Sequence, residues 1–351
     1  QSLTTAPQMG SMSLCSADRR CRSRALLDRP SIQWRSSSEQ LRSERAIPVP
    51  MQPMRSMIFT PGHRHDLVAK AIACGTDAVI VDLEDAVALE EKPAARAGLK
   101  NLPRANIPMY VRTNAIETGL LWDDVVAAGQ ANIDGLVIPK AESADVLREI
   151  DGALRALEMA NGREVGSITV IPLIESGLGV RETFNMMSIG GRFAAVLFGG
   201  GEQGDLVADL GVEWTPEGTG LMHARAQVLM DSRAAGCQHP MEAVFMDFRN
   251  LDALRVECEL ARTLGYVGKV AIHPAQIPVI HEVFAPSDDD VAHHRRIIEE
   301  FDAALARGSA SIQVDGKMVD YAVARVARGV LARADLAVSA AARAANSSTQ
   351  L

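Results

Sequence analysis

Glu175 and Asp205 are the pair of side chains best suited to hold a metal ion. Each follows a short apolar run, Ile168–Ile174 or Ala194–Phe198, and Asp205 sits beyond the glycine-rich stretch Gly199-Gly200-Gly201-Glu202-Gln203-Gly204. Carboxylates arriving from neighbouring strand ends can share one divalent cation. Two protein oxygens, with water and substrate supplying the rest, suit Mg²⁺. The eight histidines, at 63, 65, 223, 239, 273, 281, 293 and 294, show no zinc-like spacing. Arg112 closes another apolar run, and its planar fork suits the carboxylate or carbonyl oxygens of a small acid. The glycines before Asp205 allow close backbone approach, and their amides can hold an oxyanion. Taken singly, either acid serves equally as a helix N-cap or a solvated loop group. Together with Arg112 they describe a small oxyacid chelated to a metal. The chemistry is then enolate formation or carbon–carbon cleavage, with developing negative charge stabilised by metal and guanidinium.

Such groups need a frame that brings strand ends together. The strand-like runs are Met57–Thr60, Ala78–Leu83, Pro108–Arg112, Gly135–Pro139, Ile168–Ile174, Ala194–Phe198, Ala243–Met246 and Val270–Ile272. Helical patterns lie between them, among them Asp66–Cys74, Lys92–Leu99, Ala144–Met159, Leu221–Ala235 and Leu251–Leu264. Eight such repeats predict an α/β fold, a (β/α)8 TIM barrel of typically ~250 residues. A doubly wound sheet is the alternative, but the one glycine cluster after a strand lacks the acidic partner of a dinucleotide site. In a barrel, function gathers where strands end. Nearly every strand here ends in polar groups: Thr60-Pro61-Gly62-His63-Arg64, Asp82-Leu83-Glu84-Asp85, Arg112-Thr113-Asn114, Pro139-Lys140, Glu175-Ser176 and His273-Pro274. A charged helix (Asp288–Ala306), a hairpin around Val314-Asp315-Gly316-Lys317 and a helix from Asp320 to Arg333 then form a C-terminal helical extension. It is expected to cover a barrel mouth or a neighbouring subunit.

The chain of 351 residues is 47% hydrophobic and 23% charged, enough to bury a large core. With 4% aromatic residues and a net charge of −8, base stacking and phosphate-backbone binding are disfavoured, so no nucleic-acid partner is expected. Residues 1–50 carry +4 and the rest −12. The organisation expected is a disordered N-terminal extension (1–50), a barrel (51–285), the C-terminal extension (286–336) and a flexible tail (337–351). The Arg- and Ser-rich start suits a transit peptide or a segment upstream of a start at Met51 or Met54. The first implies a mitochondrial matrix location, the second a cytoplasmic one. Five dispersed cysteines imply a reducing compartment, and no stretch approaches the ~18 apolar residues of a membrane span.

The motifs resemble those of citrate lyase beta-subunit-like proteins in the HpcH/HpaI aldolase superfamily. The matching stretches are Arg55-Ser56-Met57-Ile58-Phe59-Thr60-Pro61-Gly62-His63-Arg64, Asp82-Leu83-Glu84-Asp85-Ala86-Val87 with Lys92 and Arg96, and Val111-Arg112-Thr113-Asn114. Pro139-Lys140-Ala141-Glu142-Ser143, Ile174-Glu175-Ser176, Asp205-Leu206, Gly265-Tyr266-Val267-Gly268-Lys269 and Ile272-His273-Pro274-Ala275-Gln276 continue them, over roughly residues 54–334. The resemblance implies a Mg²⁺-dependent lyase of 3-hydroxyacyl-CoA thioesters, of the malyl-CoA and citramalyl-CoA branch, releasing a 2-keto acid and acetyl-CoA. It implies Glu175 and Asp205 as metal ligands, Arg112 on the keto-acid oxygens, and Glu84 and Asp85 beside the metal and its waters. It also implies Asp320 as an acid/base reaching a neighbouring subunit, and so a homo-oligomer, trimer or hexamer. Coenzyme A is expected along His63, Arg64, Lys92 and Arg96.

Two departures border the site. The Phe198–Asp205 loop is about three residues longer than the family's Phe-Gly-x-x-Asp, so Glu202 competes with Asp205 as a ligand. Glu242-Ala243-Val244 stands where many members have Asp-Ala-Pro. The alternatives are a class II aldolase acting on free 2-keto-3-deoxy acids and a citrate lyase beta subunit acting on a carrier-protein thioester.

Overall fold

Alternation along eight short strands closes this chain into a barrel. In the computed structural model, which describes residues 51, 54–103, 105–215 and 217–347, the strands are β1 (Ser56–Pro61), β2 (Ala78–Asp82), β3 (Met109–Arg112), β4 (Gly135–Ile138), β5 (Thr169–Ile174), β6 (Ala195–Phe198), β7 (His239–Glu242) and β8 (Gly268–Ala271). They pair in parallel in chain order, and β8 returns to β1. Successive side chains of a strand face opposite sides. Ala78, Ile80, Tyr110, Val137, Ile171, Leu173, Leu197, Met241 and Val270 pack together inside. Val79, Val81, Val111, Leu136, Val170 and Val196 belong to the larger core under the helices. Extending the inward phase by one step reaches Asp82 on β2, Arg112 on β3 and position 175 just past β5. The same two-residue period that fills the barrel therefore delivers charges to its C-terminal rim.

The outer helices are α1 (His65–Ala73), α2 (Lys92–Gly98), α3 (Leu121–Gly129), α4 (Ala144–Ala160), α5 (Gly177–Met187), α6 (Asp205–Leu210), α7 (Met222–Ala235), α8 (Leu251–Leu264) and α9 (Ile277–Phe284). Three start on side-chain caps: Ser143 accepts from the Val146 N–H, Ser176 from Gly179 and Asn250 from Ala253. Each cap contributes about 1 kcal/mol. The extension comprises α10 (Asp288–Ala306), the hairpin β9 (Ile312–Val314) and β10 (Lys317–Val319), and α11 (Tyr321–Ser347). Ile297, Phe301, Val314, Val319, Ala324 and Ala327 give it a small core of its own. Among the described residues no helix is long and apolar enough to cross a membrane.

Two elements differ from the sequence reading. The seventh strand is His239–Glu242, not Ala243–Met246. Ala243-Val244-Phe245-Met246 has the better strand composition, but pairing with Ala195–Phe198 sets the level of the strand four residues earlier. The cost of burying Glu242 there is offset by Arg225, whose Nε donates to it at 3.0 Å. Glu242 thus faces the helices rather than bordering the rim. The last helix continues past Arg333 to Ser347, because its small residues are mostly alanine, the strongest helix former. The expected extension over 1–50 and residues 348–351 of the expected tail lie outside the described residues.

Candidate active site

Arg112 is built into the rim by strand register. Asp82 and Arg112 are Cα partners across β2 and β3. The guanidinium lies edge-on to that carboxylate, Nε to Oδ1 at 2.7 Å and Nη2 to Oδ2 at 2.6 Å, with both residues buried. The Phe59 ring sits 4.7 Å from its central carbon. Nη1 faces Glu84 Oε2 at 2.9 Å and Asp85 at 3.7 Å. Burial alone would lower the Arg112 pKa, but the Asp82 bonds raise it above its ordinary value, so the charge is permanent. Asp82 therefore orients the fork and turns Nη1 toward Glu84 and the rim.

Beside it lies a set of carboxylates short of positive charge. Glu175 Oε2 accepts the Lys140 N–H at 3.1 Å, and Lys140 holds a left-handed φ of +47° to present it. The Lys140 ammonium lies 3.3 Å from Asp205 and 3.9 Å from Glu84. Gly199 lies against Glu175: a Cβ there would stand 2.5 Å from the Glu175 Cγ and 2.7 Å from the Ile174 carbonyl oxygen. Asp205 opens α6, directly after Gly204. Glu175 and Gly199 line a cleft of about 160 Å³ together with Phe59, Arg112, Glu202 and Val244.

Burial pushes the Glu84 carboxyl up to about 8, aided by Asp85 and Glu175 and opposed by Arg112. Burial likewise pushes Glu175 up to about 7, with Asp205 adding to the rise and the Lys140 N–H and Arg112 opposing it. Glu84 Oε2 is buried and makes no hydrogen bond of good geometry, despite its proximity to Arg112. Among the described residues no group of three His, Cys, Asp or Glu side chains encloses a metal position. Two all-oxygen donors, Glu175 and Asp205, with an unsatisfied carboxylate nearby, fit a hard cation that keeps most of its shell for water and substrate. Asp205 rather than Glu202 shares Lys140 and the field of Glu175.

The raised carboxyls set a pH dependence. A carboxyl whose pKa is raised in the folded state stabilises the fold fully below the unfolded value, and that stability is lost as pH rises through the folded value. Metal-free protein is therefore expected to lose thermal stability as pH rises from about 4.5 to about 8, and Mg²⁺ affinity to rise over the same interval as protons are displaced. Calorimetric titration in two buffers of different ionisation enthalpy measures those protons. Zero proton release at neutral pH would contradict the raised values.

Other expected site residues are placed differently. Lys92 spends all three ammonium donors inside the chain, on the Leu83 and Glu84 carbonyls at 2.8 and 2.7 Å and on Asn114 Oδ1 at 2.6 Å. Arg96 bonds Asp124 at 2.6 Å, and Asp124 in turn receives the Asn114 N–H and side-chain amide. Both cations brace the loop after β3 instead of standing free for a phosphate. Arg64 pairs with Asp66 on the surface, and His63 lies 3.8 Å from Glu91. Asp85 is exposed. Asp320 caps α11, its Oδ1 accepting from Ala322 and Val323. Sequence reasoning gave no role to Asp82 or Lys140. The inward phase of β2 pointed to the first; the second carried only its place at a strand end.

A family model described as HpcH/HpaI aldolase/citrate lyase matches residues 55–274, and one described as C–C bond lyase of the TIM-barrel fold matches 227–337. The citrate lyase subunit beta of Escherichia coli K12 is 35% identical over 286 residues, 80% of this chain and 93% of that protein. The L-malyl-CoA/beta-methylmalyl-CoA lyase of Rhodobacter capsulatus is 31% identical over 314 residues, 83% and 97% of the two. Among solved structures, CitE from Mycobacterium tuberculosis in complex with magnesium, acetoacetate and coenzyme A superposes with a TM-score of 0.64 at 30% identity. It covers 81% of this chain and 98% of its own.

Proposed function

This chain belongs to the HpcH/HpaI aldolase/citrate lyase family of carbon–carbon lyases, and from that premise we propose that it cleaves a 3-hydroxyacyl-CoA thioester of the malyl-CoA or citramalyl-CoA type. The products are a 2-keto acid and acetyl-CoA. The observation that carries this reading is the Arg112 fork, fixed by Asp82 beside Glu84 and Glu175. Such a cation binds the oxygens of a 2-oxo acid while an adjacent carboxylate set holds a divalent ion. Glu175 and Asp205 would hold Mg²⁺, which when bound supplies Lewis-acid stabilisation of the substrate's hydroxyl and carboxylate oxygens. The hydroxyl loses its proton to a base, the bond between C2 and C3 breaks, and the electron pair passes to the thioester as an enolate. Arg112 retains the keto acid through charge-assisted hydrogen bonds. Glu84 and Asp85 flank the reacting oxygens. Asp320 of a neighbouring subunit returns a proton to the enolate carbon. His63 and Arg64, whose surface partners are easily exchanged for phosphate oxygens, flank the coenzyme A.

Incubation with Mg²⁺ and a panel of 3-hydroxyacyl-CoA substrates, with identification of the released keto acid, tests the reading. Turnover of free 2-keto-3-deoxy acids alone would replace it with the aldolase alternative. Copurification with partner subunits, and turnover only of a carrier-protein thioester, would replace it with a citrate lyase beta subunit. The Escherichia coli relative favours that second reading. If Asp320 serves a neighbour in a trimer or hexamer, mixing Asp320→Ala and Arg112→Ala subunits, each inactive alone, restores part of the activity. Mixed oligomers as inactive as their parents would place Asp320 in its cap role only.

A further inference from the structure

Among the described residues, positive charge gathers at a cavity away from the rim. A cavity of about 250 Å³ opens where the barrel strands begin, between the turn entering β8, the Ala285–Pro286 link, α10 and α11. Arg233, Arg262 and Arg333 line it, and Asp290 is the one acid among its walls. Arg233 is fixed by the carbonyls of Cys237, Gln238 and Gly265, neutral acceptors that orient the guanidinium without cancelling its charge. Neither Arg262 nor Arg333 forms an ion pair with a carboxylate among the described residues, and Asp290 lies in the field of Arg262. Partial desolvation at the cavity wall lowers the Arg333 pKa, and the Arg262 charge lowers it further. His294, on the same wall, has a buried Nδ1 without a hydrogen-bond partner. Val267 and Val330 supply an apolar side.

We propose that this cavity is a binding site for a small diphosphate anion, either inorganic pyrophosphate or the diphosphate end of a nucleotide. Three guanidiniums and an imidazole exceed what one carboxylate can satisfy. A diphosphate offers several charged oxygens that can accept from different forks at once. Arg262 belongs to α8 on the barrel and Arg333 to α11 on the extension, so one anion between them ties the two together. Arg333 lies thirteen residues beyond Asp320, roughly 20 Å along the helix axis, so the ligand would act on the extension without touching the rim.

The test is calorimetric titration of the full chain with pyrophosphate and with ADP, in EDTA so that no Mg²⁺ competes. Saturable binding is expected, weakening with added NaCl and falling about tenfold in Arg262→Ala and in Arg333→Ala. Asp290→Asn is expected to tighten it, and the exposed rim variant Arg64→Ala to leave it unchanged. Both arginines are exposed, so the variants should melt no lower than the parent; Arg262→Gln and Arg333→Gln replace either one that does. Tighter binding of ADP assigns the site to a nucleotide, tighter binding of pyrophosphate to the inorganic ion. Absence of saturable heat with both probes, or loss of binding that follows Arg64 rather than Arg262 and Arg333, overturns the proposal.

Discussion

Arg112→Met is expected to lower kcat by about a thousandfold, the scale on which a donor aimed at developing negative charge contributes. The same change leaves Asp82 and Glu84 buried beside an apolar chain, and removing one partner of such a set costs about 3–5 kcal/mol of stability. The two effects separate by measurement. Thermal unfolding reads the second, while steady-state kinetics on folded protein well below its Tm reads the first. Arg112→Lys preserves charge but cannot engage both Asp82 oxygens and Glu84 together, so activity should stay low while part of the stability returns. A kcat within a few-fold of the parent in either variant would remove Arg112 from the chemistry. Mg²⁺ affinity, read by calorimetry, should change little, because the guanidinium is not a ligand.

Glu175→Gln has the complementary signature. It keeps the shape of the side chain and an oxygen that can accept the Lys140 N–H, but loses the anionic donor. Mg²⁺ affinity is expected to fall at least about a hundredfold, the upper range seen for residues that only support a ligand. Turnover should fall with it. Metal-free stability near pH 8 should hold or rise, since the folded protein favours a neutral group there. Asp205→Asn should likewise weaken Mg²⁺ binding and turnover, and Glu202→Gln should not. Undiminished Mg²⁺-dependent turnover in Glu175→Gln would sink the metal assignment.

How much of this was legible in the sequence follows from what each residue's neighbours are. The barrel was, since eight alternating strands leave little else to build. Arg112 and Glu175 were, since polar residues that close apolar runs stand out. Asp82 was hidden by its own run, whose buried phase makes it seem part of the core. Lys92 and Arg96 carried the right charge for phosphate binding, but a side chain's partners depend on Asn114 and Asp124, more than twenty residues away. The seventh strand was misplaced because composition favours Ala243–Met246 while barrel register favours His239–Glu242. Local signals found the elements; long-range pairing decided which polar groups were free.

The contact between Gly199 and Glu175 bears on how such an enzyme can diverge. The tight steric demands on the loop before Asp205 fall on its glycines: a side chain at 199 would unseat Glu175, a Cβ at 200 would collide with the Phe198 ring, and one at 204 would stand 3.0 Å from the Gly201 carbonyl oxygen. Glu202 and Gln203, between them, line the cleft. Side chains at 202 and 203 can therefore change without disturbing either carboxylate, provided that position 203 keeps its left-handed φ of +59°. Substrate preference is thereby free to drift while the ion-holding geometry stays put.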